Sequence, residues 1–140
     1  MVYVDTSVLV AMCAQEAKTA DVLKWYAECT HELVSAAWCV TEFASAMGLK
    51  QRTGQLTAEQ AQTAWTMFER MCANDLELLP VEATIFHKAA MMTMNTASGL
   101  RAGDALHLAC AVEAKCKSMA TLDVVLAKSA NLLKIKHVDI

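Results

Sequence analysis

The stretch Val2-Tyr3-Val4-Asp5-Thr6-Ser7-Val8-Leu9-Val10 changes character at its middle. Val2 to Val4 is a run of β-formers, Asp5 stops it, and Thr6 or Ser7 then stands where it can cap an apolar helix, Val8–Ala14. A strand that passes at once into a helix is the repeating unit of an α/β fold. It also leaves a carboxylate at the carboxyl end of a strand, which is where open α/β sheets gather their functional groups.

Working outward, the alternation continues. A helix is expected over Thr19–Cys29, a short strand over Glu32–Ser35, and a helix over Ala37–Lys50 that ends near Gly48 or Gly54. Thr57-x-x-Gln60 has the form of a capping box, and Ala61, Ala64, Trp65, Phe68, Met71 and Cys72 follow at helical spacing. Leu76–Val81 reads as a strand or an extended connector around Pro80. Ile85, Phe86, Ala89, Ala90 and Thr93 mark a further helix, closed off by Gly99. An Ala-rich helix from Asp104 to about Lys115, a strand at Ser118–Leu122, a helix at Val124–Ala130 and a last strand within Leu133–Val138 complete the chain. Strands alternating with helices predict a three-layer α/β/α sandwich with a short, mainly parallel central sheet. The 140 residues are the size of a single domain, 1–140.

Composition narrows the function classes. With 56% hydrophobic residues, one proline and four glycines, the chain is neither disordered nor collagen-like. Its longest uncharged apolar stretches, Val34–Val40 and Ala105–Val112, are far short of the roughly 20 residues a membrane span needs. The first residues lack a basic leader and carry Asp5, so no signal peptide and no membrane association are expected, and the expected compartment is the cytoplasm. Six cysteines include no CxxC and no finger-like Cys/His spacing, which favours reduced thiols packed as small hydrophobes. The net charge of −3 conceals a basic stretch from Lys115 to Lys136, five lysines against the single Asp123. Such a surface suits a phosphate-bearing partner or is simply solvated.

Four acids stand in apolar settings where an unpartnered charge is costly: Asp5, Glu42, Asp104 and Asp123. Asp5 and Asp123 each follow a strand. Glu42 shares a helical face with Trp38, Ala46 and Leu49, and Asp104 opens a helix whose first turn favours a carboxylate. Taken alone, Asp5 is explained as a helix cap, Asp104 as a first-turn acid and Asp123 as a turn residue before a helix. As a set they are not, because two carboxylates about 4 Å apart repel by about 4 kcal/mol at an effective dielectric near 20. A cation offsets that repulsion, and oxygen-only ligands select a hard ion, Mg²⁺ or Mn²⁺.

These residues resemble the PIN domain family of metal-dependent ribonucleases, in particular the VapC-like toxins of type II toxin–antitoxin pairs. Val4-Asp5-Thr6-Ser7-Val8-Leu9-Val10 looks like the family's opening strand and first acid, and Val40-Thr41-Glu42-Phe43-Ala44-Ser45-Ala46 like its glutamate helix. Leu100-Arg101-Ala102-Gly103-Asp104-Ala105-Leu106-His107-Leu108-Ala109 is similar to its most recognisable segment, and Thr121-Leu122-Asp123, with Leu126 and Ala130, to its last acidic motif. The resemblance spans the chain. It implies a PIN-like sandwich, an RNA substrate, a homodimer, and a small antitoxin that wraps the protein and blocks its acidic groove. Ala44 and Ala46, the six cysteines and the nine methionines depart from the usual pattern, without touching the acids.

On this reading the reaction is hydrolysis of an RNA phosphodiester. Asp5, Glu42 and Asp104 would hold a first ion and Asp123 would complete the pocket directly or through water, with one ion or two left open. Thr6, Ser7 and Thr121 are candidates to hydrogen-bond the carboxylates or a phosphate. Arg101 is a phosphate ligand or a plain surface arginine, and Lys115, Lys117 and Lys128 are candidates to steer RNA. His107, three residues beyond Asp104, reads as a hydrogen-bonded structural histidine, with no catalytic base assigned to it. The Trp65/Phe68/Met71 stripe and the Met91-Met92-Thr93-Met94 run read as core helices; any exposed part would suit the antitoxin or a second copy. Two other classes compete. A non-catalytic PIN-like module would bind RNA or protein with no metal. A receiver-like signalling domain would need an acidic neighbour beside Asp5, and none is present.

Overall fold

The computed structural model describes residues 1–140. Five short strands, β1 (Val2–Val4), β2 (Leu33–Ala36), β3 (Leu76–Leu79), β4 (Ser118–Ala120) and β5 (Lys136–His137), form one parallel sheet in the order β3-β2-β1-β4-β5. Seven helices fill the crossovers: α1 (Thr6–Cys13), α2 (Thr19–Glu28), α3 (Trp38–Arg52), α4 (Ala58–Asn74), α5 (Ala83–Met94), α6 (Ala102–Glu113) and α7 (Val124–Leu132). The expected α/β/α sandwich is the one observed, with element ends shifted by one or two residues.

The period-two geometry of a strand sorts its side chains onto two faces. Val2, Val4 and Leu33 pack in one core with α1, α3 and α4, where Phe43 stacks on Phe68 at 4.3 Å. Tyr3, Val34 and Ala36 face the other core, with α5, α6 and Leu126 of α7. A sheet buried on both faces explains why β1 and β2 are apolar runs with no polar alternation. Because all strands are parallel, every strand-to-helix turn lies at the same end of the sheet.

Two expectations are corrected. Neither Thr6 nor Ser7 caps α1. Asp5 is the N-cap, accepting hydrogen bonds from the backbone N–H groups of Ser7 and Val8, and both hydroxyl residues lie inside the first turn. The methionine run is not a core stripe: Met91 and Met94 are 59% and 75% exposed. Ile85 and Ala89 set the inner line of α5 at a spacing of four, which turns Met91 and Met94 outward.

All six cysteines are unpaired, four of them buried. Burial pushes the thiols of Cys13 and Cys39 up to about 12 and that of Cys110 to about 11, so these three are inert packing groups. No helix is long and apolar enough to cross a membrane.

Candidate metal centre at the carboxyl end of the sheet

The chain direction delivers each acid. Asp5 follows β1 and caps α1, and Asp123 follows β4 and caps α7, accepting from Leu126 N–H at 2.7 Å. Glu42 lies one turn into α3, which starts where β2 ends. Asp104 sits in the first turn of α6, which enters from the same end before running back to the start of β4.

Asp5 is buried and both of its oxygens are committed. Oδ1 accepts from Ser7 N at 2.9 Å, Ser7 Oγ at 2.5 Å and Val8 N at 3.3 Å, and Oδ2 accepts from Thr121 Oγ1 at 2.7 Å. The two hydroxyls are themselves anchored to the loop after β4. Ser7 Oγ accepts from Leu122 N–H and Thr121 Oγ1 from Asp123 N–H, each at 3.0 Å. Two adjacent strand ends are thereby fastened together through the Asp5 carboxylate. Burial raises its proton affinity, opposed by the His107 ring and by the hydrogen bonds from Ser7, Thr121 and Val8.

Glu42 is half-buried and held through one oxygen. Oε1 accepts from Thr6 Oγ1 at 2.7 Å and is hydrogen-bonded to His107 Nε2. Burial alone would raise Glu42, yet the hydrogen bonds from His107 and Thr6 bring it net below the ordinary carboxylate range. The second oxygen, Oε2, lies over Gly103, near the Trp38 indole nitrogen, which is buried without a hydrogen-bond partner.

Asp104 accepts no hydrogen bond. Burial, then the charges of Asp123, Asp5 and Glu42, push its carboxyl up to about 6. The charges of the other three acids therefore reach Asp104. Beside Glu42 an open cleft of about 530 Å³ runs along Thr6, Ser7, Val10, Ala46 and Leu122 to the Lys50–Glu16 ion pair.

A sequence profile of the PIN domain matches residues 2–132. The chain belongs to the PIN domain family. Its fold is similar to that of the Mycobacterium tuberculosis toxin VapC20, described as cleaving the sarcin-ricin loop: TM-score 0.75, 13% identity, 92% of this chain and 95% of that one. It is similar also to FitAcB from Neisseria gonorrhoeae, with TM-score 0.66 and 16% identity over 99% of this chain and 97% of that one. FitAB bound to an IR36 DNA fragment gives TM-score 0.68 and 18% identity, over 99% of this chain and 94% of that chain. At such identities these likenesses speak to fold alone. No curated protein sequence matches the chain.

Against the requirements of a PIN-domain metal centre, the donor chemistry fits: the four acids supply oxygen only, the set a hard divalent ion takes. The geometry is not preformed, for no three His, Cys, Asp or Glu side chains stand ready to hold an ion together. Glu42 Oε1 is turned to its donors, and Asp104 is held by no hydrogen bond.

Thr6, Ser7 and Thr121 all bond the acids directly. Arg101 is exposed at the mouth of α6, and Lys128 is exposed on α7 about a turn and a half past Asp123. Lys115 and Lys117 are not brought to the site. Lys115 follows the far end of α6, about 18 Å along the helix from its start, and Lys117 precedes β4 at the amino ends of the strands. Parallel topology puts those positions opposite the acids, where Lys117 lines a depression with His31, Lys136 and His137. Trp38, already on the Glu42 face in the sequence, and Gly103, directly before Asp104, acquire a role only in the structure, and the buried Tyr3 hydroxyl had no sequence signal.

Proposed function

We propose that residues 1–140 act as one PIN domain and that the protein is a Mg²⁺-dependent endoribonuclease, the toxin of a type II toxin–antitoxin pair. The observation that carries this reading is the convergence of Asp5, Glu42, Asp104 and Asp123, from four separate elements, on one end of a parallel sheet. A Mg²⁺ or Mn²⁺ ion bound there supplies Lewis acidity, making a water nucleophilic near neutral pH and stabilising the leaving oxygen. Asp5, Glu42 and Asp104 are the residues to hold it, with Asp123 alongside. Ser7 and Thr121 fix the Asp5 rotamer, and Thr6 fixes that of Glu42. Arg101 and Lys128, both exposed, are the cations we assign to RNA phosphates.

The likeness to a toxin that cleaves the sarcin-ricin loop supports RNA as substrate. The likeness to FitAB, solved on DNA, supports a protein partner of the antitoxin kind. The reading places the protein in the cytoplasm as a homodimer. The test is cleavage of a structured RNA with Mg²⁺, with chelator, and with Asp5→Asn and Asp104→Asn. Retained cleavage in both variants rejects it. One observation favours a second reading, a non-catalytic PIN-like module that binds RNA or protein: the acids are not preset on an ion position. Failure of Mn²⁺ to bind the wild type would select that alternative.

A further inference from the structure

We propose that Tyr3 and His107 are positioning residues that hold the Glu42 carboxylate in its metal-facing orientation through a buried, directional chain of hydrogen bonds. The inference rests on Glu42 being a metal ligand, as argued above, and assigns roles to two residues outside the acid set.

The chain starts in the sheet. Ala36 N–H, at the end of β2, donates to Tyr3 Oη at 3.0 Å; a backbone N–H only donates, so the phenol oxygen accepts. The single phenol proton is then left for Tyr3's other partner, His107 Nδ1, at 2.8 Å. In the neutral form of the ring, Nδ1 is then the acceptor nitrogen and Nε2 carries the proton. Nε2 faces Glu42 Oε1, with Thr6 Oγ1 at 3.0 Å. Thr6 donates its own proton to the same Glu42 oxygen. Oε1 is therefore supplied by two donors, leaving Oε2, the oxygen over Gly103, outside this chain of bonds.

Tyr3 and His107 are 0% and 1% exposed, so no water competes for these bonds, and an unmet donor or acceptor there would be costly. The ring is also fixed edge-on to Tyr3, with centroids 5.7 Å apart and planes at 73°. A side chain that only filled space would not need a tyrosine whose hydroxyl is matched on both sides. Outer partners that orient a ligand commonly change metal affinity by about 10–100-fold when removed.

The test uses the full chain in two states. In metal-free protein labelled with ¹⁵N-histidine, long-range ¹H–¹⁵N spectra should show His107 protonated on Nε2 only, its signals assigned by their loss in His107→Gln. A ring protonated on Nδ1, or on both nitrogens, overturns the chain. Tyr3→Phe removes one hydroxyl and should turn the His107 signals into a mixture of tautomers; an unaltered spectrum overturns the role of Tyr3.

Mn²⁺ titration then separates positioning from packing. His107→Leu should weaken Mn²⁺ binding by about 10-fold or more, whereas His107→Gln, with an N–H at similar reach and similar volume, should restore most of it. Equal affinities in the Leu and Gln variants overturn the proposal. If His107→Leu does not fold, Tyr3→Phe carries the measurement, with a severalfold loss expected and unchanged affinity overturning it. A wild type that binds no Mn²⁺ rejects the nuclease reading and the positioning role together, and a bound Mn²⁺ with the wrong tautomer rejects the chain alone.

Discussion

Gly103 lies directly beneath the Glu42 carboxylate: a Cβ at this position would stand 2.7 Å from Oε2 and 3.4 Å from the Trp38 indole nitrogen. Gly103 is not among the residues with positive φ, so the requirement is space and not backbone freedom. Alanine is the better helix former there by up to about 1 kcal/mol, and the atom it meets is the end of a flexible side chain. Gly103→Ala should therefore leave the melting temperature near that of wild type while displacing Glu42, with Mn²⁺ affinity down about 10-fold or more. Calorimetric titration checks this, and wild-type affinity would show that Oε2 is not a ligand.

Added Mn²⁺ should raise the melting temperature of the wild type in proportion to RT ln(1 + [L]/Kd), and much less that of Asp5→Asn. Asp5 tolerates the change structurally because an asparagine oxygen still caps α1 at Oδ1. Equal shifts in the two proteins would place the ion elsewhere.

Stability without metal should depend on pH through Asp104. Its carboxyl is raised from the ordinary 3.8 to about 6, so between those values the folded state binds more protons than the unfolded one. Stability therefore falls as pH rises from about 4 to 6, and the penalty is complete above that. Asp104→Asn removes the penalty. In chelator it should melt above wild type at neutral pH, with the difference shrinking as pH approaches 4. A difference independent of pH would mean that neither burial nor repulsion among the acids raises Asp104. In wild type, Mn²⁺ affinity should drop as pH falls through about 6, because protons and metal compete for the same carboxylate.

Thr57 serves as a control remote from the acids. Its side chain accepts from Gln60 N–H while Gln60 Oε1 accepts from Thr57 N–H, and both residues are exposed at the start of α4. Thr57→Ala should cost about 1 kcal/mol in chemical denaturation and leave Mn²⁺ affinity unchanged. A coupled loss of affinity would mean that α4 supports the site through α3.

Local chemistry made much of this legible. The β-run before Asp5, the Thr57-x-x-Gln60 box and the Ala-rich segment after Gly103 each act within a few residues, so they read without tertiary information. The exposed face of α5 did not, since Met91 and Met94 look equally apolar on either side of a helix, and only the line through Ile85 and Ala89 selects the buried one. Lys115 and Lys117 misled for a related reason: basic charge near an acid in sequence says nothing about which end of a parallel strand it occupies.

Residue order alone specified the α/β alternation, the four acids and the oxygen-only character of any metal centre, because propensity, capping and ligand hardness belong to individual side chains and their near neighbours. Which acids are tied down was left to packing. The fastening of Asp5 by Thr121, the hold of Thr6 and His107 on Glu42, and the line from Ala36 through Tyr3 to His107 join residues 33 to 116 positions apart. Hydrogen bonds need donor and acceptor within about 3 Å and in line, and chain-distant groups reach that geometry only once the sheet has fixed where each strand ends.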